Sequence, residues 1–128
     1  MRRSLIALLA VALPLAVAAA GALPAQSSMA GGVTVKATPR TLAGAVWEFE
    51  LVFDTHTQDL KDDPAKSASL HAAGASAAPL AWQGDPPGGH HRKGVLRFKA
   101  LTPVPAALEL RLQRAGEPSP RVFRWQVK

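Results

Sequence analysis

Apolar and polar residues alternate with a period of two through most of the chain after residue 32. Val33, Val35 and Ala37 alternate with Thr34, Lys36 and Thr38, and Pro39 is expected to end that run. Trp47, Phe49, Leu51 and Phe53 share one face opposite Glu48 and Glu50, the clearest strand signal in the sequence. The same alternation returns at Leu96/Phe98, at Leu108/Leu110/Leu112 and at Phe123/Trp125/Val127, each time with Arg, Lys, Glu or Gln between. One apolar and one wet face per run is the signature of antiparallel sheets covering a single core.

The middle of the chain is less regular. Residues 59–64, Asp-Leu-Lys-Asp-Asp-Pro, predict a turn-rich connection with room for one helical turn. Segments 67–73 and 77–82 are expected to form a hairpin around Ala73-Gly74-Ala75, although Ala and Ser are weak strand formers. Gly84-Asp85-Pro86-Pro87-Gly88-Gly89 predicts a loop, since proline lacks a donor and glycine favours unusual dihedrals. About seven short strands with punctuation every 8–12 residues predict an all-β, immunoglobulin-like antiparallel sandwich over 33–128, with a small closed barrel as the alternative. Residues 26–32, rich in small side chains, are expected to be a flexible linker.

Composition narrows this picture. The 128 residues contain no Cys, which excludes disulfides, thiolate metal sites and a thiol nucleophile. Residues 1–25 have the build of a signal peptide: Arg2 and Arg3, a 16-residue apolar run from Leu5 to Ala20, and small residues before cuts after Ala22 or Ala25. That run falls short of the roughly 20 residues of a membrane span. The expected location is therefore periplasmic or secreted. Without the leader the domain carries 13 basic and 9 acidic side chains, and 9 of those basic residues lie in 92–128. Because they alternate with apolar residues, they read as the solvated face of strands. No compact basic cluster or aromatic platform points to nucleic acid, and no phosphate-binding glycine loop points to a nucleotide.

Two segments carry the candidate chemistry, Phe53-Asp54-Thr55-His56 and Trp82-Gln83-Gly84-Asp85-Pro86-Pro87-Gly88-Gly89-His90-His91-Arg92. Both lie where a strand meets a loop, the places at which a sandwich usually presents function. Neutral imidazole is the commonest metal ligand, so His56, His90 and His91 with the Asp54 carboxylate form a candidate site, Asp59 and Asp85 being alternative carboxylates. An N/O donor set without thiolate favours Cu(II) or Zn(II). In an extended segment His90 and His91 would face opposite sides, and Gly88-Gly89 supply the kink that would bring both to one ion. In the competing reading these histidines pin a long loop onto the sandwich. Trp82, Gly84, Asp85, Pro86, Pro87, Gly88 and Gly89 are expected to shape that loop, with Trp82 anchoring it to the core. His71 is expected at the surface.

No enzyme is expected. Gly74-Ala75-Ser76-Ala77-Ala78 lacks the second glycine of a nucleophile elbow, and the Asp59/Asp62/Asp63 run lacks calcium-loop spacing.

The Trp47-Glu48-Phe49-Glu50 strand running into Phe53-Asp54-Thr55-His56, the Trp82–Arg92 segment and Arg121-Val122-Phe123-Arg124-Trp125 together resemble a group of small exported bacterial and archaeal domains of unassigned function. The likeness covers roughly 33–125 and departs from the group in the Ala/Ser-rich stretch at 68–79. It implies an extracytoplasmic β-domain and no particular activity. Two functions are compatible with these residues: a periplasmic metal-binding domain, with copper first, or a non-catalytic envelope module that binds a protein or polymer.

Overall fold

A computed structural model describes residues 23–128. Most of the expected leader, residues 1–22, lies outside the described residues. Among the described residues nine strands fold into two antiparallel sheets: β1 (Gln26–Ala30), β2 (Val33–Thr41), β3 (Val46–Thr55), β4 (Ala68–Ala72), β5 (Ala75–Ala77), β6 (Ala81–Gly84), β7 (His91–Lys99), β8 (Ala107–Leu112) and β9 (Arg121–Gln126). A single helical turn, α1 (Pro64–Ser67), is capped by the Asp63 side chain, which accepts from the Ala65 N–H.

One sheet has the order β1-β2-β3-β7-β6 and the other β5-β4-β8-β9. Strands β2, β3, β7 and β6 occupy the positions A, B, E and D of an immunoglobulin domain, while β4, β8 and β9 occupy C, F and G. Strand β5 pairs with β4 as C′ does with C. The expected antiparallel sandwich is therefore the fold, with β1 added ahead of the first standard strand.

The strand phases place the core where the alternation indicates. Trp47, Phe49, Leu51, Phe53, Leu96, Phe98, Leu108, Leu110, Leu112, Phe123 and Trp125 are all buried between the sheets. Phe49 meets Phe98 edge-on at 5.7 Å and packs against Trp125 at the same distance, separations at which aromatic quadrupoles attract. Each such side chain contributes about 1.5–3 kcal/mol by leaving water.

Three expectations require correction. Residues 26–32 are not a linker: Gln26–Ala30 pairs residue by residue with Val33–Ala37. The Gly31-Gly32 turn between them has φ of 55° and 77°, the positive values that a two-residue hairpin needs. Pro39 does not end β2, which continues to Thr41. It lies beyond the last β1–β2 pair, where β2 is an edge and a missing donor is tolerated. The basic residues of the second half are not all solvated, since Arg92, Arg114 and Arg121 are buried.

The 67–82 segment is also divided differently. Its hairpin is β4–β5, turning on Ala73 and Gly74 with φ of 47° and 81°. Strand β6 instead joins the five-stranded sheet beside β7.

Candidate functional site

The end of β3 and the start of β7 are neighbours. Asp54 pairs in register with His91, and the Asp54 carboxylate lies 2.5 Å from His91 Nδ1. His91 is therefore the first residue of a strand rather than part of a loop. A cross-strand row runs over the sheet's outer face from Met29 to Thr34, Asp54 and His91, one residue from each of four strands. His56 follows Asp54 by two positions, and both line a 510 Å³ cavity whose wall includes the exposed Met29.

The turn after β3 is built by Thr55, whose buried hydroxyl donates to the Gly32 carbonyl at 2.8 Å and accepts from the Thr57 and Gln58 N–H groups. The Thr55 N–H donates to the His90 carbonyl at 2.9 Å. His90 is thus matched to Thr55 while His91 is matched to Asp54. His90 stands in the bend just before β7, and its side chain is exposed like that of His91.

The loop from Asp85 to His90 is held by other residues. Asp59 accepts from the Gly89 N–H at 2.7 Å, and Leu60 exchanges backbone bonds with Gly88 and Gly89. Asp85 accepts from the Lys93 N–H at 2.9 Å. Arg92, 1% exposed, donates to the carbonyls of Leu60, Asp62 and Asp85 at 3.2, 2.6 and 3.1 Å. Its guanidinium carbon stands 5.7 Å from the centre of the Trp82 ring, a cation–π distance. Trp82 is half-buried, meets Phe53 edge-on at 6.3 Å and donates to the Asp85 carbonyl. It ties the loop to the core, and Arg92, Asp59 and Asp85 hold the loop beside it.

Arg92 and Thr55 stand in the candidate segments without being given a role by the sequence. A signal for Arg92 existed: continuing the Leu96/Phe98 phase backwards puts Gly94 and Arg92 on the inward face.

An ionic chain extends from this end of the sandwich. Asp62 takes two bonds from Arg114, at 2.6 and 2.9 Å, and Glu117 bridges Arg114 to Arg121. Arg121 donates onward to the carbonyls of Ser28, Ala30 and Val33. Burial alone would raise the Asp62 pKa, but the hydrogen bonds and charge of Arg114 outweigh it and hold the carboxyl below its usual range. The Arg121 hydrogen bond likewise lowers Glu117.

His71 is half-buried on the opposite sheet, where its Nε2 lies 2.7 Å from the Ser69 hydroxyl. Among the described residues no group of three His, Asp or Glu side chains stands arranged around a common point for a metal ion. The four candidate ligands therefore do not form a preassembled centre. Asp54 and His91 are brought together, His56 shares a cavity wall with Asp54, and His90 is placed only by its carbonyl, which takes the Thr55 N–H.

No protein-family model matches the chain, and no curated protein matches it. A secreted protein of Mycobacterium tuberculosis, MPT63, is similar in structure at 14% identity, with a TM-score of 0.47 over 81% of this chain and 91% of that one.

Proposed function

We propose that the protein is an exported, non-catalytic β-sandwich that binds a divalent transition-metal ion, Cu(II) before Zn(II), through His91 and His56. Export rests on the Arg2-Arg3 leader and its apolar run. The observation carrying the metal reading is the Asp54 carboxylate on His91 Nδ1 at 2.5 Å. Metal-ligating histidines usually give their second ring nitrogen to a carboxylate, which fixes the tautomer and raises ligand basicity. With Nδ1 so engaged, Nε2 is the nitrogen left for an ion. Asp54 then orients a ligand instead of being one. His56, exposed two residues after Asp54 and lining the same cavity, supplies the second imidazole in this reading, and Cu(II) heads the affinity order for such N/O donors.

Titration of the processed domain with Cu(II) and Zn(II) tests this. Stoichiometric uptake is expected at neutral pH and should weaken in acid, where protons compete with the metal for imidazole nitrogen. His91→Ala and His56→Ala should each weaken Cu(II) binding at least about ten-fold, and Asp54→Asn by about 10–100-fold. His71→Ala should leave it unchanged. Absence of stoichiometric binding at neutral pH would overturn the reading.

The second reading, an envelope module without metal, is favoured by the same pair seen as a link between β3 and β7. In that case His91→Ala lowers the melting temperature and no metal restores it.

A further inference from the structure

We infer that export processing cuts the Ala22–Leu23 bond and not the bond after Ala25, leaving residues 23–25 to serve the folded domain as a latch. The inference rests on reading the leader as an export signal. It goes beyond that reading by choosing the bond.

Three observations converge. Leu23 is half-buried and packs against the hydrophobic core. The Pro24 carbonyl accepts the Trp125 indole N–H at 2.7 Å, and Trp125 is 3% exposed at the end of β9. The chain then runs directly into β1, whose carbonyls at Ser28 and Ala30 accept from Arg121 at the start of β9. Leu23 to Ala30 is thereby fastened to β9 at both ends, closing the gap between the two sheets along that edge. Loss of residues 23–25 would deprive a buried indole donor of its acceptor, an unfavourable state for a polar group shielded from water.

The leader peptidase acts on the chain in transit, before folding, so local sequence decides the bond. Cutting after Ala22 puts Ala20 and Ala22 at the two positions that require small side chains, whereas cutting after Ala25 puts Leu23 at the first of them. Sequence preference and the needs of the fold therefore select the same bond. Water adds across it, leaving the Ala22 carboxylate on the released leader and an α-ammonium on Leu23.

Two measurements on the full chain, expressed in an exporting bacterium, decide the matter. Intact mass of the extracytoplasmic protein should correspond to residues 23–128. A chain beginning at Gln26 would overturn the inferred bond while leaving export standing, and retention of Met1 would overturn both. In the processed protein, the Trp125 indole N–H should exchange with solvent at least ten-fold more slowly than that of Trp82, whose bond to Asp85 lies at the surface. Equal exchange rates would overturn the latch.

Discussion

The Trp82 indole occupies the space in which a side chain at Gly94 would begin. A Cβ on Gly94 would stand 2.6 Å from two ring carbons of Trp82 and 2.7 Å from the Gly84 Cα. Gly84 and Gly94 are directly paired across β6 and β7, so the two bare backbones form the floor on which the ring lies. Trp82 in turn covers Phe53 and the Arg92 guanidinium, linking the Gly-Pro loop to the core. Gly94→Ala should therefore cost about 1–3 kcal/mol, the usual range for overpacking. The Trp82 emission should also shift to the red as the ring is displaced. An unchanged melting temperature with unchanged fluorescence would show that the strands open easily there.

Arg92 gives a second test. Its guanidinium serves three carbonyls from two different loops, so Arg92→Leu keeps the bulk but leaves the Asp62 carbonyl without a donor, while Leu60 keeps the Gly88 N–H and Asp85 keeps the Trp82 indole. One unsatisfied buried group costs about 1–3 kcal/mol, and a loss of that size should appear in the denaturant midpoint. Arg92→Lys should restore little, because an ammonium lacks the planar fork that reaches separate acceptors. A loss under about 1 kcal/mol would show that Asp59 and Asp85 alone hold the loop.

Phe49 lies at the centre of the aromatic core, touching both Phe98 and Trp125. Phe49→Ala should cost about 3–5 kcal/mol, a large share of the roughly 5–15 kcal/mol that holds a domain together. Chemical denaturation with matched fluorescence and circular dichroism would measure it. A loss under about 1 kcal/mol would contradict the burial of that face.

Acid should weaken the ionic chain. In Asp62, burial pushes the pKa upward but Arg114 more than compensates, and in Glu117 the Arg121 bond dominates, so both stand below their ordinary 3.8 and 4.5. A depressed folded pKa means that the unfolded chain takes up the proton first. The contribution is complete above those ordinary values and is lost as pH falls through them toward the folded ones. Melting temperature should therefore fall below about pH 4.5, and Glu117→Gln should flatten that fall while lowering stability at neutral pH. A variant with the wild-type slope would remove Glu117 from the pH response.

Period-two alternation determined the fold class, the inward phase of the aromatic strands and the burial of Trp47, Phe49, Leu96, Phe98, Leu110, Phe123 and Trp125, because side-chain direction in a strand follows from sequence parity alone. Parity also carried Arg92 and Gly94 inward, though the charge of one and the missing side chain of the other concealed it. The Asp54, His56 and His91 candidates were legible as residue types near strand ends. Only the tertiary structure decided that Asp54 and His91 are register partners and that His90 falls opposite Thr55, since register depends on which strands pair and not on any one of them. Likewise Gln26–Ala30 carries too little apolar character to announce a strand. It becomes one because β2 offers it a free edge, Gly31-Gly32 turns it back, and Arg121 and Trp125, about 90 to 100 residues later, hold its carbonyls and those just before it.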